Sequence, residues 1–234
     1  MFEFEKEFHA ILKSLHEIDA LRHLILIGSW VLPVYLENYR IPRLTFTTSD
    51  VDFTIIRPHD PVKKSNPSVH KQLTEIGYVP HRNPITQSEK YIPALESEKN
   101  KLSIEFLCEP GRIVRAPYRV KGLGIIATPL RYQRVLHQNA IALAYKDITV
   151  SVPKPAFWAA HKIAMSQLRS GEQAELKKMK DLDGARIIVS FLGYEDVMCA
   201  ARCYKGKFLS LFQKGWENYQ SRFPEELEID SNQG

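Results

Sequence analysis

The sequence predicts an α/β protein of the α+β kind, with a mixed sheet flanked by helices and then a helical C-terminal portion. Two observations predict this class. Short apolar runs of strand length alternate with helical spacing in the first part of the chain, and from Pro155 onward the spacing is almost wholly helical. We therefore expect an α/β domain over residues 1–152 and a helical domain over residues 153–234.

Local patterns predict each element of the first domain. A one-sided apolar stripe indicates a helix over residues 3–20, and the apolar run Leu24–Ile27 indicates a buried strand that Gly28 ends. The remaining predictions are a helix over 30–37, a loop over 38–48, a strand over 51–56, an irregular stretch over 58–67, a helix over 68–76, an irregular stretch over 80–100 with one weak strand at 90–92, strands over 102–107, 124–127 and 148–152, and a helix over 129–144.

The C-terminal portion reads as four helices over 155–169, 172–191, 194–204 and 207–222. Gly171, Gly193 and Gly206 stand at the breaks, where helix ends favour glycine. Three aromatic residues at four-residue spacing, Phe208, Phe212 and Trp216, are expected in the core, with a dimer face as the alternative. The acidic and polar residues 225–234 are expected to fray.

Composition limits the classes of function. The net charge of +5 and the pI near 9.0 suit a polyanionic ligand but do not decide one. No run approaches the roughly 18 apolar residues of a membrane span, and the N-terminus lacks the apolar centre of a signal peptide. We expect a cytoplasmic protein with no membrane partner. Cys108, Cys199 and Cys203 have neither disulfide nor zinc spacing and are expected to be ordinary thiols.

Two aspartates on one strand carry the strongest chemical signal. Side chains alternate along a strand, so Asp50 and Asp52 share a face with Thr54, while Val51 and Phe53 take the other. Aspartate is depleted in strands, and two carboxylates held close repel each other. A divalent cation between them removes that objection, and hard oxygen ligands suit Mg²⁺. Solvated aspartates at a strand edge are the alternative.

Two further features can join this pair. Gly28-Ser29 links a strand to a helix, where glycine permits a close backbone approach and the helix N-terminus attracts phosphate. Glu105 alternates with Ile104 and Phe106 on a later strand, so it can stand beside the aspartates if the two strands are neighbours. Each feature alone is more often structural; together they supply the carboxylates of a two-metal phosphoryl-transfer site.

Gly28-Ser29, Asp50-Val51-Asp52 and the distant strand residue Glu105 resemble the signature of the DNA polymerase beta-type nucleotidyltransferase superfamily. Within it the chain is similar to small bacterial nucleotidyltransferase-domain proteins. The resemblance extends to the helix that opens at 152–155 and to Lys180-Asp181. It implies a minimal nucleotidyltransferase core and an enzyme that moves a nucleoside monophosphate from an NTP, such as ATP, to an acceptor hydroxyl and releases pyrophosphate.

The resemblance also implies roles. Asp50, Asp52 and Glu105 become the catalytic and metal-binding residues for Mg²⁺ or Mn²⁺, with Glu105 holding a second metal or acting as base. Gly28, Ser29 and Lys162 become nucleotide-binding. Lys180 and Asp181 are expected to help orient that lysine or to form a surface ion pair.

The sequence leaves open the roles of the other positively charged side chains. Arg169 is expected on the face of Lys162, either near phosphate or as a surface cation. A basic segment, made up of Arg112, Arg115, Arg119 and Lys121, fits an RNA acceptor, although a solvated loop is the simpler interpretation.

Two other functions compete. A sugar-nucleotide site of the glycosyltransferase type fits poorly, because its Asp-x-Asp usually follows a longer α/β region than the single strand found here. A catalytically degenerate nucleotide- or RNA-binding module, for example in a toxin–antitoxin or phage-defence system, is the main alternative. The acceptor (RNA, protein or small molecule) and the oligomeric state are not determined by the sequence.

Overall fold

The structure is a computed structural model that describes residues 2–39, 41, 48–55, 68–95, 102–110 and 116–224. Contacts divide these residues into two units, one within 1–38 and 44–152 and the other within 39–43 and 153–234. The predicted fold class is confirmed: a mixed sheet with helices comes first and a helical part follows. In the described residues, no helix is both long enough and apolar enough to cross a bilayer.

The first unit contains α1 (Phe2–Glu17), β1 (Leu24–Ile27), α2 (Val31–Asn38), β2 (Asp50–Ile55), α3 (Val69–Glu75), β3 (Tyr78–Arg82), β4 (Glu89–Pro93), β5 (Ser103–Cys108), β6 (Tyr118–Val120), β7 (Ile125–Pro129), α4 (Gln133–His137), β8 (Ala140–Tyr145) and β9 (Ile148–Pro153). The second contains α5 (Pro155–Ser166), α6 (Ala174–Leu192), α7 (Tyr194–Arg202) and α8 (Lys207–Arg222).

The main sheet of the described residues has the order β1-β2-β5-β4-β3. Strand β2 is antiparallel to β1 and parallel to β5, so the sheet is mixed. Two strands share one edge of β5: β4 pairs with its first half and β7 pairs with its end. Strand β6 in turn pairs with β7. Strands β8 and β9 form a separate two-stranded sheet.

The two faces of the main sheet differ. One face buries Phe53, Tyr91 and Phe106, whose rings pack against one another, and His70 of α3 contacts Tyr91 on the same side. The opposite face carries Asp50, Asp52 and Glu105, and farther along the strands it covers a small apolar cluster with Leu136 of α4. The apolar contacts leave one part of this face to polar side chains.

The predicted helix over 129–144 is wrong. Only Gln133–His137 is helical, and Ala140–Tyr145 is strand β8. Its alanines and leucine are good helix formers, but the segment pairs with β9 as a hairpin that turns at Lys146, whose φ is +54°. The pairing outweighs the local preference.

Three other boundaries differ from prediction. The stretch 80–100 was expected to hold one weak strand, yet β3 begins at Tyr78 and pairs with β4. Pro80 lies within β3, which is tolerated because β3 is an edge strand. Strand β6 interrupts the expected loop around Arg119, and the helix expected over 155–169 ends at Ser166.

The helices of the second unit otherwise follow the predicted order. Gly171, Gly193 and Gly206 each have positive φ at the breaks between them. Phe208, Phe212 and Trp216 are buried, as expected for core residues. Cys108 is a buried free thiol, and Cys199 and Cys203 are exposed free thiols.

Candidate active site

Strand β2 presents the aspartate pair as its sequence predicts. Val51, Phe53 and Ile55 are buried, while Asp50 and Asp52 are partly exposed on the other face. The buried residues anchor the strand in the sheet, and the pleat then fixes the direction of both carboxylates.

Strand register brings the third carboxylate to the pair. Asp52 of β2 lies opposite Glu105 of β5, and Asp50 lies opposite Ser103. Adjacent strands are about 4.8 Å apart, so Asp52 and Glu105 stand side by side on one face. The expectation that the two strands are neighbours is met.

Two side chains donate to the Asp50 carboxylate, and the Asp50 backbone makes one further contact. The Ser103 hydroxyl donates to its Oδ1 at 2.7 Å, and the Lys90 ammonium donates to the same oxygen at 3.2 Å. The backbone N–H of Asp50 donates to the Thr48 hydroxyl oxygen at 3.5 Å. These contacts orient the carboxylate across β5.

Lys90 is a site residue to which sequence reasoning gave no role. It pairs with Glu105 across β4 and β5, and its Nζ lies 3.5 Å from Glu105 Oε2. Burial alone would lower the pKa of Lys90, but Glu105, Asp50 and Asp52 together outweigh burial and raise it. The ammonium therefore stays charged among the carboxylates. No local pattern reveals this contact, because it depends on the pairing of β4 with β5.

Gly28 forms the turn at the end of β1. Ile27 lies opposite Asp52, so Gly28 follows directly beside that carboxylate. Its φ is +71°, and a Cβ added there would collide with Asp52 Oδ2. Residues Gly28–Trp30 form a single 3₁₀ turn that includes the partly buried Ser29, and α2 begins at Val31. Glycine is thus required here for both conformation and space.

A polar pair made of the buried Thr54 and the partly buried His137 lies farther along the same face. The Thr54 hydroxyl and His137 Nε2 are 2.7 Å apart, and burial lowers the pKa of His137 to about 4. The imidazole is therefore neutral at pH 7. Sequence patterns do not predict this contact, because the histidines fall in no motif.

The chemistry of the donor set determines which cation fits. The described residues contain no group of three or more His, Cys, Asp or Glu side chains already placed to hold a metal. Asp52 and Glu105 nevertheless stand in register, and Asp50 adds a third set of hard oxygen atoms on the same face. Such donors fit Mg²⁺ or Mn²⁺ rather than a soft metal.

The other predicted nucleotide-binding residues belong to the second unit. Lys162 Nζ lies 2.9 Å from Asp181 Oδ1 and over the Trp158 ring at 5.6 Å, and Arg169 Nε donates to Asp181 Oδ2 at 2.6 Å. Burial would raise the pKa of Asp181, but Lys162 and Arg169 outweigh burial and lower it.

Asp181 is only 2% exposed, so the alternative of a surface ion pair is wrong. Arg169 lies beyond the end of α5, and Asp181 joins it to Lys162. Lys180 is exposed on α6.

The basic segment is only partly described. Arg112 and Arg115 lie outside the described residues. Arg119 is exposed on β6, and Lys121 is exposed in the turn that follows. The structure thus places two of the four cations at the β6–β7 hairpin.

Neighbouring carboxylates can hold the divalent metals that many enzymes use to act on phosphate groups. A family model described as nucleotidyltransferase matches residues 6–205, and the chain belongs to that family. It is thus an enzyme of the nucleotidyltransferase class. No curated protein matches the chain with significant sequence similarity.

Two solved structures are similar at low identity. One is an antigenic nucleotidyltransferase-like protein from Paracoccidioides brasiliensis, with 14% identity, a TM-score of 0.48 and coverage of 94% of this chain and 90% of that chain. The other is the antibiotic-resistance factor ANT(2'')-Ia, with 12% identity, a TM-score of 0.48 and coverage of 93% and 95%. Similarity this distant supports no statement about substrate.

Proposed function

We propose that this nucleotidyltransferase uses Mg²⁺ or Mn²⁺ to transfer a nucleoside monophosphate from an NTP to an acceptor hydroxyl, with release of pyrophosphate. The observation that carries the proposal is the register of β2 and β5, which sets Asp52 beside Glu105 with Asp50 on the same face. The same proposal includes four further points: membership of the DNA polymerase beta-type superfamily, a bacterial source, a cytoplasmic location and ATP as the donor.

The three carboxylates bind the metal in this proposal. Asp50 and Asp52 would hold the cation that accompanies the triphosphate, and Glu105 would either help to hold a second cation or accept the proton of the acceptor hydroxyl. A bound divalent cation would neutralise phosphate oxygens and favour loss of the hydroxyl proton. The acceptor oxygen bonds to the α-phosphorus, the bond to the bridging oxygen breaks, and pyrophosphate leaves in line.

The turn after β1 supplies the phosphate contact. Without a side chain at Gly28, a triphosphate can approach the backbone beside Asp52. The Ser29 hydroxyl and nearby backbone N–H groups donate to phosphate oxygens. Within the second unit, we propose that the buried Asp181 carboxylate orients Lys162, the lysine for which the resemblance implies a nucleotide-binding role.

The acceptor is proposed by class only: RNA, protein or a small molecule with a free hydroxyl. Arg119 and Lys121 at the β6–β7 hairpin suit a polyanionic acceptor such as RNA. An acceptor with phosphate groups would be expected to bind less tightly as salt rises.

A transfer assay tests the proposal. The protein is incubated with each α-³²P-labelled NTP, Mg²⁺ and pools of RNA, protein or small metabolites, and label on the acceptor is measured. Asp52→Asn is expected to lower transfer at least a hundredfold, because a metal ligand is lost, while folding is retained. The matched control is Asp196→Asn, the same change at an exposed position of α7. Full transfer by Asp52→Asn would reject the proposal.

A degenerate binding module remains the second candidate. The observation behind this candidate is the Lys90 ammonium, which lies 3.2 Å from Asp50 Oδ1 and 3.5 Å from Glu105 Oε2 and would keep a metal from bridging them if it stayed in place. The same assay separates the two functions. NTP binding that persists without transfer to any acceptor pool supports the module, and labelled acceptor supports the enzyme.

A further inference from the structure

Lys90 reaches across a strand to its second carboxylate. It lies on β4 opposite Glu105 of β5, yet its Nζ also lies 3.2 Å from Asp50 Oδ1 on β2. Strands β4 and β2 are not neighbours, because β5 runs between them. Two strand spacings come to roughly 10 Å, so the lysine lies extended over β5 with its charge between the two carboxylates.

We propose that Lys90 is a built-in counter-ion of these carboxylates and that a divalent metal displaces it on binding. The inference rests on the proposed metal site. The ammonium contacts Asp50 Oδ1 and Glu105 Oε2, oxygens that a metal shared by the two strands would also use. A dication and an ammonium repel each other at ion-pair distance, so both cannot occupy this position.

Exposure makes the exchange feasible. The Lys90 side chain is 41% exposed and that of Asp50 is 43% exposed, so the ammonium can move into water without crossing packed atoms. Exposed ion pairs of this kind are weak. The pair of Lys162 and Asp181 differs, since those side chains are 13% and 3% exposed and their separation would bury an uncompensated charge.

Asp50 keeps an orienting contact when the lysine leaves. The Ser103 hydroxyl donates to Asp50 Oδ1 at 2.7 Å from within β5, independently of Lys90. The carboxylate therefore stays directed across the sheet, and only the cation beside it is exchanged. Without metal, Lys90 offsets the repulsion among three carboxylates; with metal, that role passes to the dication.

Metal affinity without nucleotide tests the proposal. Binding of Mn²⁺ is measured by electron paramagnetic resonance of free Mn²⁺ for the wild-type chain, Lys90→Met and Lys90→Arg. Lys90→Met is expected to bind Mn²⁺ about tenfold more tightly, because the metal no longer has to break the two ion pairs that Lys90 makes with Asp50 and Glu105. Lys90→Arg keeps the charge and is expected to stay within threefold of wild type.

Two controls separate this inference from the proposed function. Lys71→Met removes a lysine charge from an exposed ion pair with Glu75 on α3 and is expected to leave affinity unchanged. Asp52→Asn is expected to lose Mn²⁺ binding. If wild type binds Mn²⁺, Asp52→Asn does not, and Lys90→Met binds no more tightly than Lys71→Met, the inference on Lys90 alone falls. If wild type and Asp52→Asn bind equally weakly, the metal site and the inference fall together.

A measurement on the wild-type chain covers the case in which Lys90→Met does not fold. Lysine side-chain NMR, assigned with Lys90→Arg, follows the ε-carbon signals during a Mg²⁺ titration. The Lys90 signal is expected to move toward that of an exposed lysine while the Lys71 signal stays in place. A Lys90 signal that does not respond while Mg²⁺ binds would refute displacement.

Discussion

Replacement of Gly28 by alanine probes the centre of the candidate site. Gly28 has φ of +71°, and an added Cβ would collide with Asp52 Oδ2 and come within 3.2 Å of Asp52 Cβ and Cγ. The substitution therefore imposes two costs: a left-handed backbone at a residue with a Cβ, and displacement of a carboxylate that we propose to bind metal.

The two costs can be estimated separately. A left-handed conformation costs an alanine about 1–2 kcal/mol. Overpacking against a neighbour costs about a further 1–3 kcal/mol. We therefore expect Gly28→Ala to lower the free energy of unfolding by about 2–5 kcal/mol.

Gly77→Ala is the matched control. Gly77 also has positive φ, +89°, but no atom of the described residues lies within 4 Å of an added Cβ. It therefore isolates the backbone cost, expected at about 1–2 kcal/mol. The difference between the two variants in urea unfolding measures the contact with Asp52, and a double-mutant cycle of Gly28→Ala with Asp52→Ala should show coupling of about 1 kcal/mol or more.

Activity gives a second measure. Gly28→Ala should lose most nucleotidyl transfer because Asp52 is displaced, whereas Gly77→Ala should keep it. If Gly28→Ala is no less stable than Gly77→Ala and transfers at the wild-type rate, the close packing of Gly28 against Asp52 is refuted.

Two further predictions concern buried charge and pH. Asp181→Asn leaves two cations without their buried counter-ion and should lower the free energy of unfolding by about 3 kcal/mol or more. Asp183→Asn, which breaks an exposed pair with Arg222, should cost less than about 1 kcal/mol. For His137, burial lowers the pKa from 6.5 to about 4, so the unfolded chain takes up the proton first and stability falls between these pH values. The loss between pH 7 and pH 4.5 is expected to be about 2.5 kcal/mol and to be absent from the His137→Gln variant, as measured by urea unfolding at both pH values.

One outcome for each of these two predictions would contradict it. Equal losses of stability for Asp181→Asn and Asp183→Asn would mean that the Asp181 ion pairs are not buried in solution. If wild type and His137→Gln lose the same stability on acidification, other groups account for the pH dependence and the pKa of His137 is not lowered by folding.

Tertiary pairing explains where sequence reasoning went wrong. Ala140–Tyr145 consists largely of helix formers, but its partner β9 makes it a strand. Residues 80–82 were predicted to be irregular because they begin with a proline, yet they belong to strand β3. Proline is accepted there because β3 is an edge strand, where a residue without a backbone N–H can be tolerated. In both cases a distant segment outweighed local preference.

The features of the candidate active site also fall into two groups: those that depend on adjacent residues and those that depend on tertiary pairing. The alternation of β2 alone placed Asp50 and Asp52 on one face, because the side-chain period of a strand is two. The position of Gly28 after an apolar run marked the turn. Local sequence rules were sufficient for both features because each depends on adjacent residues.

Only the tertiary structure decided which side chains meet these carboxylates. The register of β2 with β5 set Glu105 beside Asp52, and the pairing of β5 with β4 brought Lys90 over the strand. Register and strand order depend on the packing of the whole sheet, so no window of sequence contains them. The sequence by itself determined the aspartate pair and its turn, and the folded sheet determined the cation and the third carboxylate beside them.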